Sequence, residues 1–259
     1  LRSLVGSEMC IRDSLYTVIF TSGTTGEPKA VSHTRLGCTS ACVQNMQIYE
    51  MTSDDVVLAQ LPPSTIAGLY LYPLPGLMKG CTVIMEQFNP RRFIELNQKF
   101  KPTVGIIVPA MMIALSKLKA WEDLDMSHWR QLSVGSTVIP EEMLNTLFDK
   151  GVPAIRDLYG CTETHVPPLT YLIKPNIAHP LQLEITDKYQ YKLDRYGVLW
   201  LKGDSVMKGY LNMDAEFDNE GYWCTGDVFE RKHNLLFFKS RRTDLILSLI
   251  HISEPTRLR

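Results

Sequence analysis

From Leu15 to Tyr159, short apolar runs alternate with stretches of helical period. Strands are predicted at Tyr16–Phe20, Val56–Ala59, Thr82–Met85, Val104–Val108 and Gln131–Val134, each rich in β-branched or apolar residues. Asn89-Pro90 opens a predicted helix over Arg91–Phe100, with Phe93, Leu96 and Phe100 on one face. Pro140-Glu141-Glu142 opens another that runs through Lys150, with Leu144, Leu147 and Phe148 as its apolar stripe. Its glutamates sit at the positive end of the helix dipole, and Gly151 supplies a stop. Strand-then-helix repetition predicts an α/β fold: a mostly parallel sheet with helices on both faces.

After Thr164 the rhythm changes. Leu181–Thr186 and Tyr189–Leu193 flank Asp187-Lys188, and Val228–Arg231 and Leu235–Lys239 flank a polar turn at His233-Asn234. Both patterns read as antiparallel hairpins. An α/β core over 15–165 is therefore expected to be followed by a smaller antiparallel β-rich subdomain over 166–239. Residues 1–14 and 248–259 break the local pattern abruptly and resemble translated sequencing-adapter read-through. They are expected to be non-native tails, which would leave a fold truncated at both ends and a piece of something larger.

Composition narrows the function. At 259 residues the chain suits one large domain or two small ones. Twenty-seven basic residues against twenty-eight acidic ones leave no cationic footprint for nucleic acid. The longest apolar stretch, Val104 to Leu115, falls short of the roughly 20 residues of a membrane-spanning helix. The six cysteines show no CxxC spacing and read as reduced packing residues, which fits a cytoplasmic setting.

The strongest chemical signal is Thr21-Ser22-Gly23-Thr24-Thr25-Gly26-Glu27-Pro28-Lys29, directly after a predicted strand. Gly23 and Gly26 let the backbone approach a phosphate, Thr21, Ser22, Thr24 and Thr25 offer hydroxyl donors, and Lys29 adds a mobile positive charge. It is not a P-loop: the two glycines are too close together, and Ala30 rather than Ser or Thr follows the lysine.

This loop resembles that of the adenylate-forming superfamily of acyl- and aryl-CoA synthetases, adenylation domains and luciferases. Three further segments resemble the family's motifs in the same order: Tyr159-Gly160-Cys161-Thr162-Glu163-Thr164, Gly221 to Asp227, and Ser240 to Ile246. The last would be the start of a hinge, over 240–247. The resemblance implies an AMP-forming acid–thiol ligase: ATP converts a carboxylic acid to an acyl-adenylate, and coenzyme A then takes the acyl group. It implies Lys29, Thr162 and Glu163 as catalytic residues, with Glu163 holding Mg2+ through oxygen. Thr162 would also bond the α-phosphate, Tyr159 would stack on adenine, Asp227 would accept from the ribose hydroxyls, and Arg241 would touch the nucleotide from the hinge. Arg242 is expected on the surface.

Two departures bear on the substrate. Where the family often carries an aromatic-His pair, this chain has Pro63-Ser64-Thr65, and Pro62–Gly68 contains no carboxylate to hold an amino-acid ammonium. Gly135-Ser136-Thr137 stands where an acyl-pocket wall is expected. The alternatives are a non-catalytic nucleotide-binding remnant and an adenylation domain that loads a carrier protein.

Overall fold

A computed structural model describes residues 11, 13–21, 27–137, 139–175, 182–233 and 235–242. Nearly all of the two expected tails, together with Thr243 to Leu247 of the hinge, lies outside the described residues.

Strands β1 (Leu15–Thr21) and β2 (Lys29–Thr34) pair antiparallel, and β12 (Gly209–Tyr210) adds to the free side of β2. The predicted strand Tyr16–Phe20 thus belongs to a separate three-stranded sheet and not to the parallel one. Residues 22–28 are too few for a parallel crossover, so β1 and β2 can pair with each other only antiparallel. Helix α1 (Arg35–Ile48) follows, with the Thr34 hydroxyl accepting the Gly37 N–H at 3.0 Å as its cap. Its buried face includes Gly37, Gln44 and Asn45, so it carries no apolar stripe to read from sequence.

The large sheet begins with five parallel strands. They are β3 (Val56–Ala59), β4 (Thr82–Met85), β5 (Val104–Ile106), β6 (Gln131–Gly135) and β7 (Ile155–Tyr159), in spatial order β4-β3-β5-β6-β7. Helices α2 (Pro73–Lys79), α3 (Pro90–Phe100), α4 (Pro109–Leu115), α5 (Lys119–Glu122) and α6 (Glu141–Asp149) lie among them in the chain. The Asn89 side chain caps α3 by accepting from the N–H groups of Arg91 and Arg92, and Gly151 ends α6 with φ at 92°. On one face of the sheet, Leu58 packs with Phe93, Leu96, Leu144 and Leu147. On the other, its neighbours Val57 and Ala59 pack with Tyr49, Leu71 and Tyr72. Helical segments thus cover both faces, as expected, and each fully buried leucine contributes about 1.5–3 kcal/mol. Phe100, whose spacing places it on the buried face, is instead 39% exposed at the end of α3.

The antiparallel strands extend this sheet and do not form one of their own. β8 (Leu169–Ile173) runs against β7 from Ile155↔Ile173 to Tyr159↔Leu169 and closes its otherwise open edge. Beyond it the order is β9 (Gln182–Ile185), β14 (Leu235–Arg241), β13 (Trp223–Lys232), β11 (Val198–Lys202) and β10 (Gln190–Leu193). The hairpin expected around His233 forms as β13–β14. The one expected around Asp187-Lys188 does not: β9 pairs with β8 and β14, and β10 pairs with β11. Burial decides this, because Leu183 joins Leu169, Leu236 and Phe229 in one cluster. Among the described residues, no helix is long and apolar enough to cross a membrane.

Candidate functional site

The carboxyl ends of β6 and β7 open onto two adjoining cavities, at the edge where an open parallel sheet places its ligand crevice. The larger, about 380 Å³, is lined mainly by apolar groups, among them Leu61, Ile66, Ala67, Leu71, Ile106 and Val166. The smaller, about 220 Å³, is lined by Tyr159, Asp227, Arg241, Asp157, Thr137 and Phe238, among others. Ser136, Leu158, Gly160 and Cys161 line both. Ser136 holds a left-handed backbone with φ at 76°, which is uncommon for a residue with a Cβ.

Three expected nucleotide contacts meet in the smaller cavity. Asp227 is 5% exposed; the Tyr159 hydroxyl donates to its Oδ2 at 2.7 Å, and Arg241 Nε lies 2.9 Å from its Oδ1. Burial pushes the Asp227 carboxyl above its ordinary pKa, against the pull of Tyr159 and Arg241. Thr225 positions this carboxylate: its Oγ1 accepts the Asp227 N–H at 3.0 Å and donates to the Leu199 carbonyl at 2.8 Å. A carboxylate has about four lone-pair sites, so both present partners leave acceptor capacity for a ligand hydroxyl. The edge of Tyr159 is fixed against Phe229, with ring centroids 5.0 Å apart at 84°. Arg242 faces away and pairs with Glu216 at 2.7 Å, the surface position expected of it.

A second group gathers on the far side of Cys161. Thr162, Glu163 and Thr164 form a single 3-10 turn, and Glu163 is buried. The Tyr210 hydroxyl donates to Glu163 Oε1 at 2.7 Å, and Lys29 Nζ stands 5.3 Å from the centroid of the same Tyr210 ring. Lys29 and Glu163, far apart in sequence, thus flank one aromatic. Thr21 pairs with Lys29 across β1 and β2, which brings the two ends of the glycine-rich loop together. Ser22, Gly23, Thr24, Thr25 and Gly26 lie outside the described residues.

No cluster of three or more His, Cys, Asp or Glu forms a metal cage among the described residues. A lone carboxylate suits Mg2+, which keeps several waters and shares its coordination with substrate phosphates. Glu163, whose Oε2 is not engaged by Tyr210, supplies one such carboxylate. The segment at Thr65 is a tight turn: its hydroxyl donates to the Pro62 carbonyl at 2.8 Å and accepts the Gly68 N–H at 3.0 Å. A Cβ at Gly68 would lie 1.9 Å from the Pro62 carbonyl oxygen, so glycine is required there.

Sequence reasoning missed Tyr210, which sits in a strand of two residues with no pattern to reveal it. It also missed His33, a polar residue on a fully buried strand position.

The family described as AMP-binding enzyme matches residues 6–211. An indoleacetate–CoA ligase of Aromatoleum aromaticum is 26% identical over 249 residues, covering 89% of this chain and 48% of that protein. A 4-coumarate–CoA ligase of Nicotiana tabacum is 31% identical over 262 residues, covering 90% and 48% respectively. Among solved structures, the o-succinylbenzoate coenzyme A synthetase of Bacillus subtilis, in complex with ATP and magnesium ion, superposes with a TM-score of 0.78 at 26% identity. That match covers 90% of this chain and 51% of the other. The chain spans about half the length of the curated relatives it matches.

Proposed function

The chain belongs to the AMP-binding enzyme family, and from that premise we propose that its parent protein is an AMP-forming acid–thiol ligase. The observation that carries this reading is the pair of cavities meeting at Gly160 and Cys161, one apolar and one built around a buried carboxylate. An apolar acid in the larger cavity would present its carboxylate at that junction to the α-phosphorus of a nucleotide in the smaller. A carboxylate oxygen bonds to phosphorus as the bond to pyrophosphate breaks. A thiolate, which we take to be that of coenzyme A, then bonds to the acyl carbon and AMP leaves with the carboxylate oxygen.

In this reading Asp227 accepts from the ribose hydroxyls, Tyr159 stacks on adenine and Arg241 closes the nucleotide edge. Thr162 donates to the α-phosphate. Lys29, with the Thr21–Gly26 loop, answers the charge of the outer phosphates. Glu163 would hold Mg2+, which when bound neutralises charge on the phosphates. Most of the catalytic effect is positioning plus charge stabilisation. The relatives named above are named for aryl acids, and the apolar cavity suits an aryl acid here. A cytoplasmic setting goes with coenzyme A chemistry and with the free thiols of Cys38, Cys42, Cys81, Cys161 and Cys224.

The test is pyrophosphate release and thioester formation by the complete protein, offered a panel of aryl and fatty acids with ATP and coenzyme A. Aryl acids are expected to turn over fastest. ATP binding with no pyrophosphate release for any acid would favour the nucleotide-binding remnant instead.

A further inference from the structure

Beneath the Thr162–Thr164 turn lie two histidines that the proposed reaction does not use. His33, on β2, is fully buried, and its Nε2 lies 2.8 Å from the Thr162 carbonyl oxygen. A carbonyl only accepts, so Nε2 carries the proton and Nδ1 holds the lone pair. His165 follows the turn directly. Its φ is 63°, and the Val166 N–H reaches across it to the Thr164 carbonyl at 2.6 Å, a tight three-residue turn that is strained for a residue with a Cβ.

The two rings are 3.8 Å apart, and Tyr70 closes the far side of His165 edge-on at 4.3 Å. Neither nitrogen of His165 has a hydrogen-bond partner among the described residues, nor has Nδ1 of His33. Burial pushes His33 down to about 4 against the pull of its Thr162 bond and the Glu163 charge, and it pushes His165 down to about 2.

The turn is gripped at three points. His33 holds the Thr162 carbonyl, the Met207 N–H donates to the Glu163 carbonyl at 2.7 Å, and the Tyr210 hydroxyl holds the Glu163 carboxylate. His33 and Tyr210 both belong to the three-stranded sheet whose β1–β2 connection is the glycine-rich loop. The orphaned nitrogens and the strained backbone at His165 mark a geometry imposed by its surroundings.

We infer that His33 is a positioning residue: through its Nε2–H bond to the Thr162 carbonyl it fixes the Thr162–Glu163 turn against β2, the strand that begins at Lys29. The inference rests on Glu163 being the Mg2+ residue of the proposed reaction. It also carries a stereochemical signature. A glutamine amide nitrogen can reach where Nε2 stands, whereas asparagine reaches only as far as Nδ1.

The experiment uses the complete protein and compares ATP dissociation constants with and without MgCl2, alongside AMP binding and the thermal midpoint. Wild type is expected to gain affinity for ATP when Mg2+ is added. His33→Gln should keep that gain to within about twofold, while His33→Asn should lose about fivefold of it or more, with AMP binding changed far less. Asparagine and glutamine variants that respond alike to Mg2+ would overturn the inference. Both variants stay polar, so the contrast between them does not depend on a hydrophobic replacement folding. Glu163→Gln separates the two levels. If it leaves the Mg2+ response intact, the reading of Glu163 fails and takes the inference with it. If it abolishes the response while both His33 variants keep it, only the inference fails.

Discussion

The two cavities share one wall but are built on opposite physical terms. The larger is walled by side chains from the segment at Pro62–Leu71 and from β5, and most of its contacts are apolar. Leu61, Ile66, Leu71, Ile106 and Val166 offer a ligand contact area rather than hydrogen bonds, so fit there is chiefly a matter of shape. The smaller is walled by β7, β13 and β14 and is organised around one buried charge, Asp227, with Tyr159 and Arg241 on its two oxygens. There, hydrogen-bond geometry decides. In the proposed reaction, placing them on either side of Gly160 and Cys161 would let an apolar acid and a charged nucleotide meet at that junction.

The sharpest way to break this comparison is to remove the charge. Asp227→Ala strands the Tyr159 hydroxyl and Arg241, and is expected to cost about 1.5–3 kcal/mol in binding of ATP and AMP alike. Lys29→Ala should impose a similar cost on ATP with little effect on AMP, which lacks the outer phosphates. Calorimetric titration of both nucleotides against both variants checks this. Equal losses for both ligands in both variants would contradict the assignment.

A pH titration sharpens the comparison from both sides. His33, next to the apolar cavity's His165, has a folded pKa of about 4 against an ordinary 6.5. The unfolded chain therefore binds that proton first, and stability should fall as pH drops from 6.5 towards 4. The slope is up to about 1.4 kcal/mol per pH unit for each such histidine. Asp227 has the opposite sign: its folded pKa is raised, so its contribution is fullest below 3.8 and is lost as pH rises through the folded value. Urea unfolding between pH 5 and 8 should show the histidine trend, and Asp227→Asn should raise stability at neutral pH while weakening nucleotide binding.

Filling the apolar side is expected to do less, and to do it on one side only. Ala67→Phe should raise the KM for the acid about tenfold through overpacking while leaving AMP binding unchanged. Steady-state kinetics beside AMP titration reads the split. The smallest effect belongs to the shared wall. Ser136→Gly relieves a left-handed backbone, but glycine's added freedom when unfolded offsets part of the gain. The net change in stability by urea unfolding should stay below about 1 kcal/mol.

Much of this fold is legible in the sequence alone. The four interior strands from Val56 to Val134 appear within two residues of their predicted ends, and the helices opened by Pro90 and Glu141 begin where their caps say. These signals are local, being apolar runs, a capping asparagine and a stop glycine, so the sequence carries them in full. The residues now clustered around Asp227 and Tyr210 came partly from motifs, in the cases of Tyr159, Glu163, Asp227 and Arg241. Their partners did not, because nothing near Tyr210 or His33 in the chain marks them as neighbours of Glu163.

What the sequence determined by itself was element type and the covering of a parallel sheet on both faces, and its motifs supplied the candidate site residues. Each depends on periodicity, capping or the character of a single side chain. Only the tertiary structure decided which strands became neighbours. The first strand pairs antiparallel with β2, which β12 also joins, and so stands in a sheet of its own. The strand at Gln182–Ile185 passed over its sequence neighbour because Leu183 is buried with Leu169 and Leu236. The same long-range packing set Tyr210 between Lys29 and Glu163 and placed His33 under Thr162. Such contacts join residues more than a hundred positions apart in several cases, and no local pattern encodes a pairing that only the closed core can select.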